Sequence, residues 1–206
     1  MTVDAGRAAV ERDVELRRRF EELTVPHLGA LYRVAVKLTG DRTIAEDLVQ
    51  ESYLKALTAF ATLRDPGRVK PWLFQILSRL VVDRHRGSGR EVPAASVEDL
   101  DRFSLYDLIW EEDPMPYSDS LHDDFLAQFR DEEVRAALLA LPEAFRIPLV
   151  LVYAEELSYH ELAEILGCPI GTVMSRLYRG RKILERELWE CAKKRGLVRT
   201  WKQRSV

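Results

Sequence analysis

The stretch "PIGTVMSRLYRGRK", Pro169 to Lys182, sets a proline and a glycine ahead of polar and basic residues at helical spacing. Wound as a helix, it puts Thr172, Ser175, Arg176, Arg179 and Lys182 at i, i+3, i+4, i+7 and i+10. Val173, Leu177, Leu184 and Leu188 share the other side. One face suits a core and the other suits an anionic surface. Just upstream, "SYHELAEILGC" (Ser158 to Cys168) opens on a Ser158 to Glu161 capping box, turns Leu162, Ile165 and Leu166 inward, and runs into a turn at Gly167 to Pro169. Short helix, turn and second helix make a helix-turn-helix, whose second helix enters the major groove of DNA. On that reading Arg176 and Arg179 reach guanines through paired hydrogen bonds, Thr172, Ser175 and Tyr178 contact bases or phosphates, and Arg181 and Lys182 anchor phosphates.

Composition bounds the rest. A chain of 206 residues that is 47% hydrophobic and 32% charged can build one or two helical cores. It has no apolar run near the roughly 18 residues of a membrane span, and its first twenty residues are too charged for a secretory signal, so the sequence predicts a cytoplasmic protein with no membrane insertion. Two cysteines, Cys168 and Cys191, make no disulfide framework, and without a CxxC or Cys/His cluster no metal site is expected. The net charge of −3 conceals strong asymmetry. From Glu91 to Glu133 about 14 acidic residues face 2 basic ones, whereas Gly167 to Val206 holds about 11 basic against 3 acidic, and Arg64 to Arg90 about 7 against 2. Basic patch, acidic connector and basic end follow one another.

The periodicity is helical nearly throughout. Phe20, Leu23, Leu28, Leu31, Val34, Ala35 and Leu38 follow helical spacing, with Pro26 suited to a first turn and Gly40 to a stop. Thr43 to Glu46 reads as a capping box opening a helix whose Ile44, Leu48, Tyr53, Leu57 and Phe60 lie mostly on one side. "RDPGRVK" breaks the pattern as a loop, and a third helix from Pro71 to about His85 carries Trp72, Leu73, Ile76, Leu80 and Val81. The expected fold is all-α: a helical domain over residues 20–86 after an N-terminal extension (1–19), an acidic flexible linker (87–124), a second helical domain (125–195) holding the helix-turn-helix, and a basic tail (196–206). No paired nucleophile and base, phosphate-cradling glycine loop or metal cluster points to an enzyme, and no cofactor is expected. A stand-alone helix-turn-helix regulator would share the motif.

"AEDLVQESYLKAL", "WLFQILSRLVVDRHR" and "LPEAFRIPLVLVYAEELSYHELAEILGCPIGTVMSRLYRGRKIL" together resemble the extracytoplasmic-function (ECF) group of bacterial RNA polymerase sigma factors, of the sigma-70 family. The resemblance implies that the first domain is region 2, the second is region 4, and the linker stands where region 3 is missing. It assigns Asp47, Gln50, Glu51 and Lys55 to the surface that grips the β′ coiled coil of core RNA polymerase, and implies a β flap contact elsewhere. Their polar stripe opposite an apolar one suits a charge-matched protein surface. It assigns Arg64, Lys70, Trp72, Phe74, Gln75, Arg79, Arg84 and Arg86 to the part that melts and holds the −10 element. Holding an unstacked base calls for aromatic pockets beside cations, and this segment offers both. Many members carry Arg-Asn where this chain has Ser78 and Arg79, so the site carries over and its base preference does not. Thr172 to Lys182 would read the −35 element.

The resemblance further implies a cognate anti-sigma factor. "EAFRIP" and "PIGTVMSRLYRGR" are most similar to the actinobacterial subgroup that answers thiol oxidation through a zinc-binding anti-sigma protein. The acidic linker reads either as a soluble tether or as a strand that occupies basic channels of the polymerase much as RNA does. Cys168 reads as a small turn residue, His160 as a surface residue, and "CAKKRGLVRTWKQR" as a basic tail.

Overall fold

In the computed structural model residues 14–87 and 131–194 are described, all but the side chains of residues 85–87, 131, 185, 186 and 189–194. The acidic connector, the first thirteen residues and the chain after 194 lie outside the described residues, as do the side chains of Arg86 and Cys191. The described chain is helical wherever it is regular, and it divides into two compact units, residues 1–84 and 85–206.

In the first unit α1 (residues 14–24) passes through a short 3-10 turn, Val25–His27, into α2 (Leu28–Thr39). Pro26 lies in the first positions of that turn, where a missing N–H costs nothing, and it divides the apolar run from Phe20 to Leu38 into two helices. Gly40 ends α2 in the left-handed conformation at φ 70°, as its position predicts. The next helix, α3 (Arg42–Ala59), departs from expectation at its start. Its cap is Asp41, whose carboxylate accepts from the N–H groups of Thr43 and Ile44, so the anticipated Thr43 to Glu46 box is not formed.

The buried face of α3 also differs from the predicted one. It consists of Ala45, Leu48, Val49, Ser52 and Ala56, at i, i+3, i+4, i+7 and i+11, and packs on α2 through Leu31, Val34, Ala35 and Leu38. Ile44, Tyr53 and Leu57 are only half-buried. Small side chains form the seam because they let two helix backbones approach, and the Ser52 hydroxyl is satisfied by donating to the Leu48 carbonyl at 2.7 Å. Phe20 of α1 closes the core against Phe60 and Tyr53, edge to face at 5.3 and 5.9 Å. The Tyr53 hydroxyl donates to the Thr24 carbonyl at 2.6 Å, tying the end of α1 to α3. Burial pushes that phenol above its usual pKa, with the hydrogen bond opposing. "RDPGRVK" is a 3-10 turn, Pro66–Arg68, pinned by the Asp65 carboxylate accepting from the Gly67 N–H, and α4 (Val69–Gly87) begins two residues before Pro71.

In the second unit α5 (Asp131–Ala140) and α6 (Glu143–Glu155) lead to α7 (Tyr159–Leu166) and α8 (Ile170–Lys194). Residues Phe145 to Leu151 of α6 are buried without interruption, so this helix is the centre of the unit, and α8 packs along it. A buried arginine locks the arrangement. Arg146 donates to the Leu139 carbonyl, at the end of α5, at 2.9 Å, and to the Glu143 carboxylate at 2.8 Å. A cation thus meets one of the carbonyls that α5 leaves without an intrahelical partner. Burial lowers the pKa of this guanidinium from its ordinary value, with Glu143 acting in the opposite sense. At the far end of α6, Glu156 adopts a left-handed conformation at φ 52° and donates its N–H to the Val152 carbonyl.

Two substitutions test these devices by urea unfolding of the C-terminal unit. Arg146→Met takes a buried charge from Glu143 and a donor from Leu139, and should cost about 3 kcal/mol. Glu156→Gly puts at a left-handed cap the residue that adopts it without steric penalty, and should raise stability by roughly 0.5–1 kcal/mol.

Candidate nucleic-acid interface

The helix-turn-helix is built by local rules. Ser158 and Glu161 form the expected capping box: the Glu161 N–H donates to the Ser158 hydroxyl, and the Ser158 N–H donates to the Glu161 carboxylate at 2.9 Å. Gly167 ends α7 at φ 63°, the Cys168 N–H reaches back to the Ala163 carbonyl at 3.1 Å, and Pro169 starts α8 by accepting from Thr172 and Val173. Val173, Leu177, Leu184 and Leu188 are buried, as their spacing predicts. The turn and this core dictate what α8 shows to the outside.

Along that outer side Thr172, Ser175 and Arg179 are half-buried, and Tyr178 and Lys182 are exposed. The Lys182 ammonium lies over the Tyr178 ring, 5.8 Å from its centroid. The Ser175 hydroxyl donates to the backbone carbonyl of Thr172 at 3.0 Å, one turn before Arg179. Two of the expected DNA contacts also touch neighbours within the unit. Arg176 sits on the flank beside the turn, with Nη1 3.8 Å from Cys168 Sγ, and Arg181 lies over the ring of Tyr153 on α6 at 5.7 Å. Arg181 thereby helps join α8 to α6. Ile170 and Met174, both 38% exposed, lie along the edge of the buried face beside Val173 and Leu177, and their exposure went unnoticed in the sequence.

In the first unit the segment expected to hold an opened strand divides. Arg64, Arg79 and Arg84 are exposed, while Lys70, Trp72 and Gln75 are half-buried. Trp72, Gln75 and Arg79 stand at i, i+3 and i+7, one face of α4. Phe74 does not belong with them. It is 1% exposed and lies in the core with Leu73, Leu77, Leu80 and Val81, so it cannot stack on a base. Ser78 is buried as well, and its hydroxyl has no hydrogen-bond partner.

Asp47, Gln50, Glu51 and Lys55 are all exposed on the outer face of α3, with Lys55 and Glu51 paired at 3.2 Å. Leu54, 66% exposed, stands among them over a shallow depression lined by Glu51, Lys55, Thr58 and Ala59. The outer face thus has an apolar centre and a charged rim. Asp47 also meets Arg84 of α4 at 3.9 Å, which brings together one residue from each of the two expected surfaces of this unit.

A family model for sigma-70 region 2 matches residues 23–91, and one for sigma-70 region 4 matches residues 131–184. The chain is 37% identical over 165 residues to the ECF RNA polymerase sigma factor SigE of Mycolicibacterium smegmatis, covering 80% of this chain and 60% of that one. It is 36% identical over 165 residues to the ECF RNA polymerase sigma factor EcfG of Rhodopseudomonas palustris, covering 80% of this chain and 81% of the relative. Among solved structures, the sigma factor RpoE of Bartonella quintana, in complex with the anti-sigma factor NepR, matches with a TM-score of 0.59 at 27% identity over 83% of this chain and 97% of that one. With the region 2 and region 4 matches falling on its two helical units in order, this chain belongs to the extracytoplasmic-function group of the sigma-70 family.

Proposed function

We propose that this chain is an alternative sigma factor that binds core RNA polymerase and directs promoter-specific initiation, reading the −35 element with α8 and opening the −10 element with α4 and the loop before it. The observation that carries this reading is the pairing, in one chain, of a helix-turn-helix with a cationic outer face and a second helical unit whose α3 presents an apolar centre in a charged rim. Residues 20–86 serve as region 2, residues 125–195 as region 4, and residues 87–124 as the connector. Within region 2, Asp47, Gln50, Glu51 and Lys55 grip the β′ coiled coil of the polymerase, while the β flap takes a surface of region 4. Trp72, Gln75 and Arg79 hold the opened −10 strand, with Arg64, Lys70, Arg84 and Arg86 on its phosphates.

Chemistry stays with the polymerase, and this subunit supplies address and strand opening in the cytoplasm. An anti-sigma factor holds the protein inactive by covering its polymerase-binding surfaces. In the subgroup the chain resembles, that partner binds zinc and carries the sensing cysteines. Run-off transcription with purified core polymerase on a pooled promoter library tests the proposal: specific initiation should depend on added protein and yield both elements. No specific initiation, together with no binding to core, would leave a stand-alone helix-turn-helix regulator as the account.

Residue-level outcomes follow from the geometry. Arg179→Ala should reduce discrimination among −35 sequences by about 1–3 kcal/mol, whereas Lys182→Ala should weaken all DNA alike and lower the salt slope by about one. Competition binding of the holoenzyme to matched and scrambled −35 DNA separates the two, and equal effects of Arg179→Ala on both would reject it as a base reader. Replacing the acidic residues between Glu98 and Asp124 with serine and glycine should alter abortive synthesis more than promoter binding, because a connector lying in the RNA path must be displaced as the transcript grows.

A further inference from the structure

Among the described residues no large apolar side chain is more exposed than Leu54, at 66%. It stands nine residues after Ala45, two and a half turns of helix, and so lies opposite the seam that Ala45, Leu48, Val49, Ser52 and Ala56 bury. A single exposed leucine is ordinary on a protein surface. What surrounds this one is ordered.

Glu51, Leu54, Lys55 and Thr58, all exposed, line the shallow depression on α3 and stand at i, i+3, i+4 and i+7. Four residues so spaced form the hole into which a facing helix inserts a knob side chain. Leu54 makes one side of this hole, and Lys55, held to Glu51 at 3.2 Å, makes the other. Asp47, Gln50, Glu51 and Leu54, also exposed, repeat the spacing one turn earlier and make an adjoining hole. All four residues expected to grip the polymerase thus border two successive holes, and Leu54 is the apolar residue that both holes share.

We propose that these two holes seat successive apolar side chains from a helix of core RNA polymerase, and that Leu54 is the residue of the α3 surface that determines affinity, while the charged ring sets register. This rests on α3 being the polymerase-binding helix. The two holes lie four residues apart, about 6 Å along the axis, which matches knobs one turn apart on a facing helix. Burial of Leu54 between those knobs removes apolar surface from water, whereas Asp47, Glu51 and Lys55 stay at the wet edge, where ion pairs add little.

The test titrates the full chain against purified core RNA polymerase at low and high salt. Leu54→Gln keeps chain length and helix propensity but removes the apolar end, and should weaken binding about tenfold at both salt concentrations. Leu54→Met keeps an apolar side chain of similar volume and should bind nearly as the unsubstituted protein does. Both variants should keep the melting temperature, because the side chain is exposed. Asp47→Asn should differ in kind, acting mainly on the association rate, with a loss that fades at high salt. Binding of Leu54→Gln within about twofold of the unsubstituted protein would overturn the proposal. So would equal losses in the Gln and Met variants, or a Leu54→Gln loss that fades with salt. If Leu54→Gln is silent while Asp47→Asn and Gln50→Ala weaken binding, α3 remains the polymerase surface without an apolar anchor. If all three are silent, α3 is not that surface. A dimer of the chain in sedimentation that Leu54→Gln dissociates, with core binding unchanged, would overturn the proposal in favour of a second copy as the occupant.

Discussion

Everything that α8 presents to the outside depends on how closely it lies on α6. At Gly180 a Cβ would come within 2.8 Å of Leu149 Cδ1 and 3.3 Å of Phe145 Cβ, so the two helices approach to a distance that no larger residue accepts without displacement. Leu149 is fully buried and has little room to swing away. With that contact made, Val173, Leu177, Leu184 and Leu188 reach the same core, and the fixed turn of about 100° per residue decides which side chains point out. Arg146 supports the seat from below by holding the end of α5 to the first turn of α6. A groove reader must hold its side chains to well under the width of a base edge, and a rigid seat is how a helix of this unit does so.

The first unit meets a related demand with small residues. Ala45, Ser52 and Ala56 bury little surface, which makes the seam of α3 narrow and its outer face wide. The wide face has room for Leu54 in the middle and for Asp47, Gln50, Glu51 and Lys55 around it. An apolar centre ringed by charge is the anatomy of a protein interface, where the centre supplies affinity and the rim supplies register and partner choice. The exposed Asp47 and Arg84 pair contributes at most about 1 kcal/mol by itself. A partner that takes Asp47 can therefore release Arg84 at small cost.

Where the sequence was legible, local signals and burial agreed. The capping box at Ser158, the left-handed glycines at 40 and 167, and the apolar side of α8 all combine a backbone requirement with a residue type that meets it. Reading failed where burial and hydrophobicity part company. An apolar count on α3 selects Ile44, Tyr53 and Leu57 and passes over Ala45 and Ser52, because a close seam is made by the absence of side chain. Phe74 and Trp72 are two aromatics in one basic segment, and only the phase of α4, set by Leu73, Leu77 and Val81, sends one inward and leaves the other half out. Ile170 and Met174 were hidden for the opposite reason. Beside Val173 and Leu177 they look like more core, and only their exposure shows that the apolar face of the helix runs past its buried part. Spacing along α8 likewise carries no information about the turn, whose Cys168 lies 3.8 Å from the Arg176 guanidinium.

Charge explains why neither DNA-reading part should act strongly when the chain is free. With a net charge of −3, and an acidic connector that balances most of the basic ends, the chain as a whole gains little from the long-range attraction of phosphate. Attraction is confined to short cationic faces on α8 and α4, each of which contacts few phosphates and so binds weakly at physiological salt. Two weak sites in one chain gain from one another only when the second lies within reach of its element while the first is bound. On the proposed reading, a polymerase that grips both units brings both elements within reach together. The same weak contacts then act together, and their combined strength is far greater than that of either alone.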